Sequence, residues 1–201
     1  MKKPKIAPPI LTTQRLLIRP HRLGDENLLN QAILDSFEQL HPWMDWAAAP
    51  QTMEETRAYI AYSQKCWTEE YPNELPLLIM DLEETKIIGS SGYNAIKWQI
   101  PLFEIGYWGN VKFAGNGLIT EAVNVLTRHA FSEWGAKRVE IRCDSQNLKS
   151  AAVPKRLNYL LAATLKDHRV QPGNNKISHT HIFARYDVES LPELNYDLRF
   201  S

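Results

Sequence analysis

The segment from residue 103 to residue 135 constrains the fold more than any other part of the chain. Apolar and polar side chains alternate over residues 103–108, which predicts a β-strand. From Leu118 to Trp134 apolar residues recur at helical spacing, and Gly135 stands where a glycine commonly ends a helix. Between them lies Ala-Gly-Asn-Gly, residues 114–117, which we call the glycine turn. Glycine lets the backbone approach a ligand, and a helix N-terminus offers unpaired N–H groups at the positive end of its dipole. The segment therefore predicts a phosphate-binding site.

The residues around the glycine turn narrow the kind of phosphate ligand. Thr120 stands in place of the third glycine of a dinucleotide fingerprint, and no Lys-Ser/Thr pair follows, which excludes a P-loop. Residues 104–108, Glu-Ile-Gly-Tyr-Trp, and residues 115–122, Gly-Asn-Gly-Leu-Ile-Thr-Glu-Ala, together resemble motif A of the GNAT N-acetyltransferase superfamily. More narrowly, they resemble its RimJ/RimL branch, which acetylates protein N-termini and other amines. Ala114 departs from the usual Gln or Arg of the motif, and Ile119 from its last small residue.

Composition sets the broad class of protein. Lys plus Arg and Asp plus Glu number 23 each in the 201 residues, so bulk charge favours neither nucleic acid nor an anionic membrane. Cys66 and Cys143 are too few for a disulfide framework, which favours a reducing compartment. The start of the chain has no apolar core of a signal peptide, and no stretch is long enough for a membrane span. We therefore expect a cytoplasmic protein that binds neither nucleic acid nor membrane. Monomer and homodimer both stay open.

Pattern and resemblance together predict a mixed α/β GNAT fold. The expected central sheet is mostly antiparallel and splayed between the strands of Phe103 and Val139, with helices on both faces. We expect a flexible lead-in over residues 1–10, a single domain over 11–187 and a C-terminal tail over 188–201. The expected elements are a first strand at 11–20, a helix after Gly24, a helix at 53–69 with a capping box, a hairpin at 75–93, a strand at 137–144, a helix at 151–158 and a last hairpin at 160–187.

The resemblance assigns residues to the binding of acetyl-CoA, the expected cosubstrate. Backbone N–H groups of the glycine turn and its neighbours are expected to bind the pyrophosphate and to polarise the thioester carbonyl. Asn147 matches the asparagine that holds the pantetheine arm by its side-chain amide. The full set is Val111, Lys112, Phe113, Ala114, Gly115, Asn116, Gly117, Leu118, Ile119, Asn147 and Ser150.

Three residues are candidates for proton transfer. Glu104 matches the strand carboxylate of the family and is a candidate general base, or else an ion-pair partner for a Lys or Arg on the next strand. Ser150 is the candidate general acid, or an N-cap, or both. Tyr159 is a second candidate acid. No metal is expected, because His179 and His181 have no third ligand nearby in sequence.

The segment Leu40–Ala47, which we call the tryptophan loop, is more hydrophobic than a linker requires. It either folds back on the core or contacts the acceptor, as the comparable loop of the RimJ/RimL branch does. Trp43, Met44, Trp46 and the strand residue Trp108 are the candidate acceptor contacts.

The predicted activity is direct transfer of acetyl from acetyl-CoA to a primary amine, with a protein N-terminus of ribosomal-protein type as the acceptor. A small amine (a polyamine, an amino acid or an antibiotic) is an alternative acceptor. A catalytically degenerate acyl-CoA-binding sensor is an alternative function, for which Ala114 and Pro154 are the hints.

Overall fold

The computed structural model describes residues 6–200. The strands are β1 Pro9–Thr12, β2 Leu17–Arg19, β3 Leu75–Met80, β4 Ile87–Lys97, β5 Leu102–Gly109, β6 Arg138–Asp144, β7 Leu160–Val170, β8 Ile177–Arg185 and β9 Asp197–Phe200. The helices are α1 Glu26–Asp35, α2 Phe37–Leu40, α3 Met53–Cys66, α4 Leu118–Trp134 and α5 Leu148–Arg156, with short 3-10 turns at Asp45–Ala47 and Val111–Phe113.

The nine strands form one sheet in the order β7-β8-β6-β5-β4-β3-β2-β1-β9. Within the described residues only β5 and β6 pair in parallel, over Leu102↔Arg138 to Glu104↔Glu140, and the other neighbours are antiparallel. Beyond Glu104 the two parallel strands separate. The predicted mixed, mostly antiparallel sheet with a splay between the strands of Phe103 and Val139 is confirmed.

Helices cover both faces of the sheet, as predicted. One buried cluster joins α1 and α3 to β3 and β4, and Trp108 of β5 packs against it. The larger cluster joins α4 and α5 to the opposite face, and Ile105 and Tyr107 of β5 belong to that side. Because side chains alternate along a strand, β5 thus presents Trp108 to one helical layer and Tyr107 to the other.

Several local predictions are confirmed. Helix α3 starts with the capping box of Thr52 and Glu55. Helix α4 ends at Gly135, whose φ of 60° is left-handed, and Asn158 after α5 has a φ of 55°. Both positions end a helix in a conformation that glycine and asparagine adopt most readily.

Four local predictions differ from the structure. Residues 11–20 form two antiparallel strands instead of one, because Thr13 Oγ1 accepts the N–H groups of Arg15 and Leu16 and turns the chain. Helix α5 starts at Leu148 with Asn147 as its N-cap, so Ser150 lies inside the helix. The segment expected as a tail contributes β9, which pairs with β1. Strand β1 likewise begins inside the expected lead-in, of which residues 1–5 lie outside the described residues.

Candidate active site

The glycine turn and the start of α4 present a row of free backbone donors. No hydrogen bond is found for the N–H groups of residues 115–120 within the described part of the chain, and the first helical bond runs from Glu121 N–H to the carbonyl of Gly117. Gly115 and Gly117 have φ values of 83° and 73°, which non-glycine residues seldom adopt. A Cβ at either glycine would meet no protein atom within 4 Å, so the turn opens outward. These six donors at a helix N-terminus fit the phosphates of acetyl-CoA.

The N–H groups of residues 111–114 do not join that row. Val111 N–H donates to Ser36 Oγ at 3.0 Å, and Lys112 N–H donates to Asn110 Oδ1 at 3.0 Å. The N–H groups of Phe113 and Ala114 donate to carbonyls of the same 3-10 turn. The prediction that the N–H groups of Val111–Phe113 donate to the ligand is therefore wrong, because each of these N–H groups already donates to an acceptor in the protein. Ala114 likewise contributes no free N–H group.

A cavity of about 420 Å³ lies at the splay between β5 and β6. Its wall includes residues of both sheet faces: Tyr107 from the α4 side and Trp108 from the α1 side. Gly92 and Gly106, which pair in register, leave part of its floor without side chains. The cavity therefore reaches through the gap between the strands and connects the two faces of the sheet.

On the α4 and α5 side, Asn147 and Ser150 line this cavity, as does Tyr107. Asn147 Oδ1 accepts the N–H of Ser150 at 3.0 Å, so its amide NH₂ is the group left to donate to a ligand. Tyr107 donates its O–H to the Ser150 carbonyl at 2.8 Å, and Ser150 Oγ donates to Tyr107 Oη at 3.3 Å. Two hydroxyl groups thus meet at one point of the cavity wall.

On the opposite side, the tryptophan loop forms the outer wall. Trp43, Met44, Trp46 and Trp108 all line the cavity, and the rings of Trp46 and Trp108 lie 6.2 Å apart. Arg169 of β7 donates to the Trp43 carbonyl at 3.0 Å and ties the loop to the far edge of the sheet. The structure brings all four predicted acceptor contacts together around one space.

Glu104 lies on the same sheet face as Trp108, but its side chain does not line the cavity. Its carboxylate lies 3.2 Å from Arg142 Nε, so the ion pair foreseen as the alternative is present. Arg142 also binds Glu140, at 2.9 Å from Nη2, and Arg142 itself lines the cavity. Burial raises the pKa of Glu104; the Arg142 charge opposes that shift and the Glu140 charge adds to it.

Tyr159 lies outside this constellation. It is 5% exposed and does not line the cavity, and its hydroxyl forms a 2.6 Å hydrogen bond with Thr127 Oγ1 inside the core. The prediction of Tyr159 as a second acid is therefore wrong, because its O–H is committed to the packing of α4 against the end of α5.

With this geometry established, comparison with known proteins identifies the family. Residues 15–159 match the Acetyltransferase (GNAT) domain family, more than half of the chain. The chain belongs to the GNAT acetyltransferases. The predictions of an N-acetyltransferase with acetyl-CoA as its cosubstrate are thereby confirmed.

Relatives and solved structures agree with this membership. The ribosomal-protein-serine acetyltransferase of Escherichia coli (strain K12) is 26% identical over 157 residues, which cover 78% of this chain and 84% of that protein. The RimL ribosomal L7/L12 alpha-N-protein acetyltransferase, solved with coenzyme A, superposes with a TM-score of 0.79 at 23% identity, covering 88% and 96% of the two chains. The Microcin C7 self-immunity acetyltransferase MccE, solved with acetyl-CoA and AMP, gives a TM-score of 0.78 at 24% identity, covering 87% and 93%. At these identities the two structures show the fold.

Sequence reasoning missed two residues of this GNAT site. Tyr107 is one position beyond the glycine of Glu-Ile-Gly-Tyr-Trp, and its place on the Ile105 face was already clear from the alternation. Cys143 lines the cavity beside Ser150, and burial raises the pKa of its thiol to about 11. Its thiol therefore stays protonated at neutral pH and is a poor nucleophile.

Residues 6–200 contain neither a metal-binding cluster nor a membrane-spanning helix. No cluster of three or more His, Cys, Asp or Glu side chains in that range could hold a metal ion. None of the helices there is long and apolar enough to cross a membrane.

Proposed function

We propose that this GNAT protein transfers the acetyl group of acetyl-CoA directly to the α-amine of a protein N-terminus, with a ribosomal protein as the acceptor type. The observation that carries the proposal is the cavity that connects both sheet faces at the splay of β5 and β6. Acetyl-CoA, when bound, supplies the acetyl group as an activated thioester. The residues of this chain bind acetyl-CoA on the side of the sheet covered by α4 and α5, and the amine enters the cavity from the opposite side.

The six N–H donors of residues 115–120 are proposed to bind the pyrophosphate. The amide NH₂ of Asn147 is proposed to hold the pantetheine arm, since its oxygen is already used to cap α5. Both assignments place the cosubstrate on the side of the sheet covered by α4 and α5.

Ser150 is proposed as the proton donor to the leaving group: its O–H turns from Tyr107 Oη to the departing thiolate, and a solvent water returns a proton to Ser150 Oγ. Burial raises the pKa of Tyr107, which therefore keeps its proton at neutral pH. Its hydroxyl can accept from Ser150 while it donates to the Ser150 carbonyl, so the serine hydroxyl is held in the cavity wall. The protonated thiol of Cys143 beside them favours direct transfer over a covalent enzyme intermediate.

Glu104 is proposed to accept the proton of the acceptor ammonium through water. Its raised pKa brings a carboxylate closer to the pH at which a general base works best. The guanidinium of Arg142 stands between Glu104 and the cavity, so the proton path would run along that side chain or through a water beside it.

The tryptophan loop and Trp108 are proposed to hold the chain that follows the acceptor amine. A wall of three tryptophans and one methionine suits a flexible, partly apolar segment such as the first residues of a peptide. The relative named for ribosomal-protein serine acetylation supports this acceptor class.

A thiol-release assay tests the proposal. The purified protein is mixed with acetyl-CoA and, in parallel, with N-terminal peptides, polyamines, amino acids and aminoglycosides. The largest kcat/KM is expected for a peptide with a free α-amine, and for an α-acetylated copy of that peptide we expect no turnover. A larger kcat/KM for a small amine would favour that alternative, and tight CoA binding without any turnover would favour the sensor.

A further inference from the structure

Two carboxylates line the cavity, those of Asp144 and Glu74. Both carboxylate oxygens of Asp144 already accept hydrogen bonds from the protein. Its side chain is 1% exposed, and it accepts from Ser178 Oγ and the Gln146 N–H, both at 2.8 Å, and from Gln171 Nε2 at 3.3 Å. Its oxygens are therefore committed to holding β6 against the β7–β8 hairpin.

The two cations of the cavity wall are also neutralised. Arg169 Nε lies 3.7 Å from Asp144. Arg142 lies between Glu104 and Glu140, at 3.2 Å and 2.9 Å. Each guanidinium thus faces at least one carboxylate, and neither offers a net positive charge to a ligand.

Glu74 is the charged group that remains. Within residues 6–200 no ion pair joins it to a cation, and its one hydrogen bond there is from the O–H of Tyr62. That bond is the main reason why the pKa of Tyr62 is raised, so Tyr62 stays a donor and fixes one oxygen of the carboxylate. Tyr59, one turn earlier on α3, lines the cavity beside it. The second oxygen of Glu74 remains open to a ligand.

The sheet register places Glu74 away from the reacting end of the cavity. Leu75 pairs with Tyr93, which puts Glu74 beside Asn94, and Asn94 pairs with Glu104 of β5. Neighbouring strands lie about 4.8 Å apart, so Glu74 lies roughly 10 Å across the sheet from β5. It is half-buried and Tyr62 is 46% exposed, so the carboxylate stands at the edge of the cavity. A group bound there is a different group from the amine that is acetylated at the splay.

We propose that Glu74 binds a second positive charge on the acceptor, at the edge of the cavity roughly 10 Å across the sheet from β5. This inference rests on the proposed function. In an acceptor peptide the second residue supplies such a charge when it is lysine, since one Cα–Cα step of 3.8 Å plus the four-carbon stem spans about that distance. Aromatic rings at Trp43, Trp46 and Tyr59 then surround the stem. The acceptor class is a peptide N-terminus with a basic residue next to it.

The test compares two peptides that differ in that residue only, one starting Ser-Lys and the other Ser-Gln. The wild type is expected to favour the Ser-Lys peptide about tenfold in kcat/KM, mainly through KM, because the contact is remote from the reacting atoms. Glu74→Gln should reduce the ratio to about one. Glu69→Gln, which changes an exposed carboxylate outside the cavity, should keep it. Higher salt should reduce the wild-type ratio, since the site lies at the cavity edge.

Tryptophan fluorescence gives a second readout without turnover, because three tryptophans line the cavity. Tighter binding of the Ser-Lys peptide that Glu74→Gln abolishes supports the inference. Equal kcat/KM and equal binding of both peptides by the wild type overturn it, and leave the proposed function standing if both are acetylated. If neither peptide nor any other N-terminus is acetylated, the proposed function fails, and the binding titration alone then decides for or against Glu74. If Glu74→Gln does not fold, the comparison of the two peptides with the wild type still tests the inference, because equal kcat/KM and equal binding would overturn it.

Discussion

Arg15 allows a direct test of the proposal that the glycine turn binds the phosphates of CoA. From the turn between β1 and β2, Arg15 donates Nε to Glu121 at 2.7 Å and pairs with it again through Nη2. Its Nη1 donates to the Asn116 carbonyl at 3.1 Å. Because the C=O and N–H of one planar peptide unit point in opposite directions, this bond turns the N–H of Gly117 away from Arg15. Arg15→Ala removes both the neutralisation of Glu121 and this orientation.

The expected loss can be worked out from the geometry. Without Arg15, the Glu121 carboxylate keeps Thr13 Oγ1 at 2.6 Å but no cation, within one helical turn of the free N–H groups. At about 7 Å and an effective dielectric constant of about 40, one carboxylate raises the energy of one phosphate charge by about 1 kcal/mol. We therefore expect CoA to bind about tenfold more weakly to Arg15→Ala. The side chain of Arg15 is 50% exposed, so the free energy of unfolding should fall by less than about 1 kcal/mol.

Calorimetric titration with CoA measures this loss. Adding Glu121→Gln to Arg15→Ala should restore most of the affinity for CoA, because the unpaired carboxylate charge is then gone. The part of the affinity that stays lost measures how much the bond from Arg15 to the Asn116 carbonyl contributes by orienting the turn. Arg15→Lys should fall in between, since one ammonium cannot reach both Glu121 and the Asn116 carbonyl. Wild-type affinity in Arg15→Ala, or no recovery in the double variant, would refute the reasoning.

Four other substitutions test the remaining assignments. Gly117→Val should lose CoA binding in a folded protein, because a β-branched residue strains at a φ of 73° and its side chain enters the open side of the turn; titration beside circular dichroism checks this. Ser150→Ala should lower kcat at least tenfold with little change in acetyl-CoA affinity, and an unchanged kcat would return Ser150 to a structural role. Glu104→Gln should abolish a rise of kcat/KM with pH that lies above the ordinary glutamate range, because burial raises the pKa; two amines of different basicity separate this ionisation from that of the acceptor. The same shift means that the wild type should lose stability relative to Glu104→Gln as pH rises through this pKa. Tyr159→Phe should cost about 1 kcal/mol of unfolding free energy and leave kcat unchanged, and a rate loss at constant stability would contradict its place in the core.

The elements around the glycine turn were predictable because every signal for them is local. The change from alternation to helical spacing, two glycines with positive φ and the final Gly135 all act within one strand, one turn and one helix. The strand boundaries at residues 11–20 were not predicted, although the Thr-Thr-Gln-Arg run carries a turn residue in Thr13. Periodicity identified the apolar faces there but not the side chain that turns the backbone.

The face on which a site residue lies was predictable, but its partner was not. Alternation places Glu104 on the same face of β5 as Trp108, yet its pairing with Arg142 depends on β6 aligning with β5 in one particular register. Glu74 was not singled out, because its role depends on which other charges of the cavity are neutralised. The ion pairs and hydrogen bonds that neutralise those charges join residues from four strands and one helix, and no single stretch of sequence contains them all.

Pro154 shows how a proline inside a helix can help to position side chains of the cavity wall. Proline has no N–H group, so the carbonyl of Ser150, four residues earlier in α5, lacks its helical donor. The hydroxyl of Tyr107 donates to that carbonyl at 2.8 Å and so satisfies it from across the cavity. An N–H at position 154 would compete for this acceptor and leave Tyr107 free to rotate away from Ser150 Oγ. Pro154, which hinted at a catalytically degenerate sensor, therefore helps to hold the tyrosine and serine hydroxyls together, at 3.3 Å, on the cavity wall where we propose that Ser150 donates its proton.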